Sequence, residues 1–434
     1  MKFSIKKIAK QTSLALGCTV VLAASAFVHA ADTIKVGVLH SLSGTMAISE
    51  TTLKDTVLMM IDEQNKQGGL LGKKLEPVVV DPASNWPLFA EKAKQLLEKD
   101  KVDVVFGCWT SVSRKSVLPV FENNNGLLFY PVQYEGEESS KNVFYTGAAP
   151  NQQAIPAVDY LMNEEGVKRW VLEGTDYVYP RTTNKILEQY LISKGVKKSD
   201  ISINYTPFGH SNWQTRVAEI KKFGSAGKKT AVVSTINGDA NVPFYKELAN
   251  AGVSAEDIPV VAFSVGEEEL SGFDTKPLVG HLAAWNYFMS ADSKTNDEFI
   301  KKWHKFIKSK KRVTNDPMEA TYIGFKMWAQ AVENAGTTEV DAVREAMYGL
   351  TVPNLTGGIA VMNTNHHLTK PVLIGEIQEN GQFDIVWETP AGVIGDAWTN
   401  FLPDSANLVA DWTSPINCGN FNIKTGKCSG QNYQ

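Results

Sequence analysis

Short apolar strands that alternate with helical segments are the feature that most constrains the fold of this chain. Ile34–Leu39 is a run typical of a buried strand, and Val57 and Ile61 lie on the apolar face of the helix predicted after it. The alternation continues with strands predicted at 77–80, 102–106 and 127–130. Strands and helices that alternate in this way form a parallel sheet covered by helices on both faces.

The same alternation begins again after Pro150, and this second series predicts a second lobe. Its strands are predicted at 169–172, 201–205, 231–235 and 259–263. A chain of 434 residues exceeds one compact domain, which also favours two lobes. Near the C-terminus, Glu379-Asn380-Gly381 separates two apolar runs and predicts an antiparallel hairpin. The predicted fold class is therefore α/β, with two Rossmann-like lobes that have parallel-sheet cores.

The first 30 residues have the composition of a secretory signal peptide. Four lysines and no acidic residue precede an apolar segment at 14–28, and small residues surround a cleavage site after Ala30. Loss of this segment changes the net charge from −4 to −8, so the mature chain is acidic and nucleic-acid binding is not expected. A lipid anchor at Cys18 is the less favoured alternative, because the apolar run continues past that cysteine.

Three cysteines remain in the predicted mature chain. Cys418 and Cys428 bracket a short loop, and in an oxidising compartment we expect them to form a disulfide. Cys108 is interpreted as a small buried thiol without a catalytic role. The lysine-rich stretch at 301–312 is interpreted as the solvent face of a helix.

Aromatic, hydroxyl and carboxylate side chains follow five of the predicted strands. Because ligands bind beyond the carboxyl ends of parallel strands, these positions are candidates for a binding site. The polar and aromatic candidates at the strand ends include Trp109, Thr110, Ser111, Tyr130, Gln133, Glu135, Tyr177, Tyr179, Asn237, Asp239, Ser264 and Glu267.

Several of these stretches resemble a known family. DPASNWPLFAEKA, GCWTSVSRK, LLFYPVQYEGEE, GTDYVYPRTTN and VGHLAAWNYF are similar to sequences of the type I periplasmic solute-binding proteins of ABC transporters. Within that family the chain resembles the branch that binds urea and short-chain amides. The resemblance implies two lobes joined by three crossover segments, a solute held between them, and a permease as partner. It places lobe 1 at 31–150 plus 284–358 and lobe 2 at 151–283 plus 359–434.

The resemblance also implies a set of ligand-binding residues. The motifs that match assign this role to Trp109, Ser111, Tyr130, Val132, Gln133, Tyr177 and Tyr179, and Thr110 lies between the first two. Asp239 and Glu267 match the family's ligand-binding residues only by their approximate position in the sequence and not by a motif. The amide-binding relatives have tyrosine where Trp109 stands and threonine where Val132 stands, so the identity of the amide stays open.

The residue types agree with a small planar solute. Urea carries mostly N–H donors, so its site must supply mostly acceptors, and tyrosine and serine hydroxyls and a glutamine carbonyl can accept. We expect no enzyme, cofactor or metal site, because the chain contains no HExxH or GxSxG motif. An amino-acid ligand, or a periplasmic amide sensor that has no transporter, remains an alternative.

Overall fold

The computed structural model describes residues 33–272 and 274–402, together with the backbone of three short strands between 408 and 428. The first ten strands are β1 (Ile34–Leu39), β2 (Leu75–Val80), β3 (Val104–Gly107), β4 (Leu128–Tyr130), β5 (Val143–Tyr145), β6 (Arg169–Thr175), β7 (Ile201–Thr206), β8 (Thr230–Thr235), β9 (Val260–Ala262) and β10 (Leu282–Trp285). They are followed by β11 (Thr351–Pro353), β12 (Ile359–Met362), β13 (Leu368–Lys370), β14 (Leu373–Ile377), β15 (Phe383–Glu388), β16 (Val393–Ile394), β17 (Leu408–Asp411), β18 (Cys418–Asn422) and β19 (Lys427–Cys428).

Helices follow most strands of the two larger sheets. In chain order they are α1 (Ala47–Lys66), α2 (Trp86–Lys94), α3 (Ser111–Asn123), α4 (Ala154–Asn163), α5 (Val178–Ser193), α6 (Gln214–Gly224), α7 (Asn241–Asn250), α8 (Glu267–Leu270), α9 (Lys294–Ile307), α10 (Asp316–Ala335) and α11 (Val340–Met347). None of the helices described is long and apolar enough to cross a membrane.

Two sheets form the centres of the two lobes. The first has the order β2-β1-β3-β4-β5 and is parallel throughout. The second has the order β15-β14-β10-β9-β8-β6-β7, in which β6 to β10 are parallel and the β14–β15 hairpin is antiparallel. The predicted α/β fold with parallel-sheet cores in two lobes is confirmed, and so is the predicted hairpin.

Three crossover segments connect the lobes, and after β15 the chain returns to the first lobe, where β16 pairs with β13. The passages lie between β5 and α4, between β10 and α9, and between β13 and β14, and Asn286 joins all three. Its Nδ2 donates to the carbonyl of Gln152 at 3.0 Å, in the first crossover, and to that of Pro371 at 2.7 Å, in the third. Because one side chain satisfies backbone carbonyls in two other segments, the crossovers form a single hydrogen-bonded hinge.

The cores of the lobes follow the same division. Helices α9 and α10 and strands β12 and β13 pack with the first sheet, whereas α6 and α7 pack on one face of the second. Strand β10 belongs to the second sheet, and the core of the first lobe extends to Leu368. The sequence places the lobe boundaries at 150, 283 and 358, and these limits stay predictions.

Local signals explain where several helices begin. Asn85 caps α2 by accepting from the Leu88 amide at 3.0 Å. Helix α10 is capped by Asn315. Its side chain accepts from the Met318 amide at 3.2 Å, and Asp316 is the first helical residue. In α9 the apolar Trp303 is buried, and the neighbouring lysines at 301, 302 and 305 are exposed, as expected for a solvent face.

Three predictions concern residues outside those that the structure describes. The signal peptide at 1–30 and the alternative anchor Cys18 precede the described residues. The side chains of Cys418 and Cys428 also lie outside them, so their disulfide stays a prediction. Cys108 is a free thiol that is fully buried, as the sequence predicts.

Candidate functional site

Helix α3 begins directly beyond strand β3 and presents its first residues at the carboxyl edge of the first sheet. The Thr110 side chain caps the helix by accepting from the Ser113 amide at 3.1 Å. This cap orients Trp109 before the helix and Ser111 at its first position, and both are almost fully buried. Thr110 is therefore explained by its structural role at the helix start.

Arg114 lies one turn further along α3 and is fully buried among carboxylates. Its Nε is 2.7 Å from Glu138 Oε1, and its Nη2 is 3.3 Å from Glu135 Oε1. Lys115 donates to Glu138 Oε2 at 2.7 Å. Two cations thus face two carboxylates, and the buried cluster has no formal net charge.

The charged side chains of this cluster stabilise one another in their ionised forms. Burial opposes ionisation of Arg114, but Glu138 and Glu135 outweigh it and raise the arginine pKa. Burial would likewise raise the pKa of Glu138, but Arg114 and Lys115 hold that pKa well below its usual range. Arg114 and Glu138 are therefore both charged at neutral pH.

Arg114 also stacks on the aromatic rings next to it. Its guanidinium carbon lies 4.6 Å from the centre of the Tyr130 ring and 4.7 Å from that of Tyr134. The arginine consequently contacts Ser111, Glu135 and Tyr130 at once and holds these three side chains in place.

The hydroxyl protons of Ser111 and Tyr130 are both donated to protein acceptors. Ser111 Oγ donates to Glu135 Oε2 and accepts from Arg114 Nη1 at 3.2 Å. The Tyr130 hydroxyl donates to the backbone carbonyl of Trp109. Each oxygen can therefore offer a further partner a lone pair, but no proton.

Gln133 connects the first lobe to the second. Its Nε2 donates to the Phe263 carbonyl and to Ser264 Oγ, both at 2.6 Å. Ser264 in turn donates to Asn237 Oδ1 at 2.9 Å. Because the amide nitrogen is occupied in this way, the orientation of Gln133 is fixed and its Oε1 is directed elsewhere.

Further contacts join the lobes around Gln133. Ser49 Oγ on α1 donates to Glu269 Oε1 on α8 at 2.6 Å. The Asp239 amide donates to the Thr45 carbonyl at 3.2 Å. On another side, the Trp86 and Phe208 rings lie 5.2 Å apart. The two lobes are thus in contact on several sides of the predicted site.

Three buried polar atoms at this place find no hydrogen-bond partner among the described residues. They are Trp109 Nε1, Gln133 Oε1 and the Tyr179 hydroxyl. Tyr179 is buried in the first turn of α5, where its hydroxyl faces Gln133 and Ser264. Burial raises the tyrosine pKa, so the hydroxyl keeps its proton at neutral pH. Unpaired buried atoms are costly, so these three atoms are available to a bound molecule or to water.

The structure brings together most of the predicted site residues. We refer to Trp109, Ser111, Tyr130, Gln133, Tyr177 and Tyr179 as the strand-end cluster. Tyr177 precedes α5, with its ring centre 6.1 Å from that of Tyr179, and packs with Val112 of α3. Val132 is buried next to the cluster, where Gly147 passes so close that a Cβ would lie 2.1 Å from the valine carbonyl carbon.

Of the ten predicted residues, Thr110 and Val132 lie beside the cluster, and Asp239 and Glu267 do not join it. The Asp239 side chain is exposed, and only its backbone contacts the other lobe. Glu267 is buried, but its Oε1 accepts from the Met289 amide at 2.6 Å, in the second crossover. Neither side chain has a recorded contact with the cluster, although Glu267 Oε2 is buried without a partner among the described residues, so a binding role for these two residues stays a prediction.

Other residues of the site were named from the sequence only as strand-end candidates, and Arg114 was not named at all. Asn237, Ser264 and Glu135 each follow a strand, so the strand-end rule identifies them as candidates, but not their contacts. Arg114 lies three residues after Ser111 on a helix, a spacing that places both on one face. Among the described residues, no group of three or more metal-ligating side chains is arranged to hold a metal ion.

Helix α8 buries carboxylates between the lobes. Burial raises the pKa of Glu267 to about 8 and, despite Arg312 at 3.5 Å, that of Glu268 to about 7. Burial also lowers the pKa of His281 and His367 to about 4. The histidines make the folded protein more stable as the pH rises towards 6.5, and the glutamates make it less stable as the pH rises towards 8.

We therefore expect the free energy of unfolding to fall by about 1–2 kcal/mol between pH 7 and pH 8.5. In this range the histidines are neutral in both states, while Glu267 must ionise in the unfolded chain and resists ionisation in the folded one. Thermal unfolding at the two pH values measures the change. The Glu267→Gln variant, which keeps the acceptor for Met289, should show a smaller fall. Equal stability of the wild type at both values would contradict the expectation.

Comparison with known proteins agrees with this architecture. A family described as "Periplasmic binding protein domain" matches residues 34–404. Leu/Ile/Val-binding protein homolog 3 of Brucella melitensis biotype 1 is 23% identical over 338 residues, which cover 76% of this chain and 86% of that protein. A protein named limonene hydroxylase, from Geobacillus stearothermophilus, is 32% identical over 139 residues, which cover 32% of this chain and 25% of that protein.

A solved structure shares the fold. It is a solute binding protein of an ABC transporter from Rhodopseudomonas palustris HaA2 in complex with p-hydroxybenzoic acid. The two superpose with a TM-score of 0.72 at 20% sequence identity, over 85% of this chain and 99% of the other.

Proposed function

From the premise that the chain belongs to the periplasmic binding protein family, we propose that it binds urea or a closely related small amide between its lobes. In this proposal the signal peptide directs the chain to the periplasm and is removed near Ala30. The loaded protein then delivers its solute to the permease of an ABC transporter. In this proposal the lobes close around the solute and hold it without any covalent chemistry.

The observation that carries the proposal is the direction of the hydrogen bonds in the strand-end cluster. Ser111 Oγ, the Tyr130 hydroxyl and Gln133 Oε1 all offer lone pairs, because their protons or amide nitrogens are engaged with protein groups. The Trp109 indole supplies an unpaired N–H. Several acceptors and few donors match a solute that carries N–H groups around a single carbonyl.

Charge supports an uncharged solute as well. The cations of the described cluster, Arg114 and Lys115, already pair with Glu135 and Glu138. A free amino acid or an aromatic acid would bring a carboxylate that needs a cation or several N–H donors. The names of the relatives keep an amino-acid ligand as the alternative, but the charge of the cluster favours the amide.

Calorimetry with the purified protein tests the proposal directly. Urea, acetamide and formamide would be compared with leucine and p-hydroxybenzoate. We expect saturable binding of at least one small amide and none of the two acids under the same conditions. Binding of leucine or p-hydroxybenzoate without any response to the amides would refute it.

The unpaired hydroxyl of Tyr179 provides a second test. The Tyr179 hydroxyl has only weak contacts, with Gln133 and Ser264, in the unliganded protein, so we expect the stability of Tyr179→Phe to stay within about 1 kcal/mol of the wild type. Amide affinity should fall about tenfold, because the hydroxyl gains its partner only in the complex. Calorimetry and thermal unfolding measure the two effects.

Tyr287→Phe serves as the matched control for this substitution. The Tyr287 hydroxyl is bonded to Asn296 Oδ1 at 2.7 Å and to Thr314 Oγ1 at 2.6 Å, away from the cluster. Its loss should lower stability by about 1–2 kcal/mol and leave affinity unchanged. If Tyr179→Phe also lowered stability and left affinity unchanged, the Tyr179 hydroxyl would have only a structural role.

A further inference from the structure

Resting on the function proposed above, we propose that Arg114 and Glu135 determine the ligand selectivity of the strand-end cluster by holding Ser111 as a hydrogen-bond acceptor. Solutes with N–H donors are then bound and carboxylates are rejected. Both residues act through Ser111, which makes them positioning residues for the binding site.

The position of the single Ser111 proton is the first step of the argument. That proton is donated to Glu135 Oε2, and Arg114 Nη1 donates to the same serine oxygen at 3.2 Å. One lone pair of Ser111 is therefore left for a solute. A carboxylate oxygen placed there would meet another lone pair and find no proton.

The arrangement resists reversal because Glu135 is itself buried and paired. The Glu135 side chain is only 1% exposed, and its Oε1 lies 3.3 Å from Arg114 Nη2. If Ser111 turned its proton towards a solute, Glu135 Oε2 would lose its donor in a place that water hardly reaches. A carboxylate left with an unsatisfied oxygen is unfavourable, so the proton stays on the Glu135 side.

Arg114 also holds Tyr130 in an orientation in which its hydroxyl can only accept a hydrogen bond from a solute. The guanidinium of Arg114 stacks on the tyrosine ring, whose hydroxyl donates to the Trp109 carbonyl. Two hydroxyl groups that could donate to an anion are thus both turned into acceptors. Arg114 is the group that contacts both residues, and its own positive charge is compensated by Glu135 and Glu138.

Acetamide and acetate form a suitable pair of probes, because they share size and planarity and differ in the N–H donors and the charge. We expect the wild type to prefer acetamide over acetate by at least about a hundredfold. In Ser111→Ala the acceptor is lost, and this preference should fall about tenfold. The small change to alanine leaves the Arg114–Glu135 pair in place.

Glu135→Gln should lower the preference for acetamide about tenfold as well. The amide introduced there can donate to Ser111 Oγ, which releases the serine proton towards the solute. If Glu135 acts through Ser111, adding Glu135→Gln to Ser111→Ala should change the preference no further. A further fall of similar size in the double variant would contradict the proposed route.

Glu138→Gln is the matched control. It removes the same charge from the same buried cluster and touches the same Arg114 and Lys115, but Glu138 has no contact with Ser111. We expect its preference for acetamide to stay within about threefold of the wild type. An equal fall in Glu138→Gln and Glu135→Gln would overturn the proposal, because the net charge alone would then decide selectivity.

The outcomes separate this inference from the proposed function. A preference for acetamide that survives in Ser111→Ala overturns the inference alone, whether or not Glu135→Gln folds. A wild type that binds acetate, leucine or p-hydroxybenzoate more tightly than acetamide overturns both.

Discussion

Replacing Arg114 with methionine is expected to lower the free energy of unfolding by about 3–5 kcal/mol. The substitution leaves Glu135 and Glu138 buried without the arginine, and Lys115 alone can compensate only one of the two charges. It also removes the cation stacked on Tyr130. Unfolding should be followed in guanidinium chloride or by heat, since urea is the proposed ligand.

Two further variants show whether buried charge is the cause. Arg344→Met breaks a pair with Asp341, whose side chain is 64% exposed, and should cost less than about 1 kcal/mol. Combining Arg114→Met with Glu135→Gln should recover much of the lost stability, because Lys115 and Glu138 then remain as a pair at 2.7 Å and no unpaired charge is left in the cluster. If Arg114→Met were as mild as Arg344→Met, the buried cluster would have no special role in stability.

Replacing Gln133 with leucine is expected to weaken amide binding about 30- to 100-fold. Leucine has a similar size, but it lacks the Oε1 acceptor and both donors that reach Phe263 and Ser264 across the lobes. Loss of a solute contact and loss of contacts that favour the closed form act in the same direction. Calorimetry gives the affinity, and small-angle scattering should show less compaction with the same amide concentration.

Gln153→Leu is a control with the same change of side chain. Gln153 also donates to the Phe263 carbonyl, at 3.2 Å, and to the Ala284 carbonyl at 2.6 Å, but it lies in the first crossover. We expect it to lower the melting temperature and to leave affinity within about threefold. An equal loss of affinity in both variants would assign Gln133 to the hinge and not to the binding site.

The pattern of the sequence was sufficient for the fold and for most of the strand-end cluster. Alternating strands and helices determine a parallel sheet, and parallel strands end on the same edge, so Trp109, Tyr130 and Tyr179 could be predicted to lie near one another. The rule uses only chain direction and strand order, which short stretches of sequence encode.

The same rule was less useful where loops turn side chains away from the edge. Asp239 and Glu267 follow strands as Asn237 and Ser264 do, but Asp239 points to solvent and Glu267 to the second crossover. The direction of a side chain after a strand depends on the local turn and on the facing lobe. Neither can be read from the spacing of residues.

The sequence by itself determined the two lobes and the set of hydroxyl, aromatic and amide groups at their facing edges. Only the tertiary structure decided which of these groups donate and which accept. That choice depends on Arg114 and Glu135, which are 21 positions apart in the chain and meet through folding. Hydrogen-bond direction is a property of a whole buried network, because each proton goes where the next group can accept it.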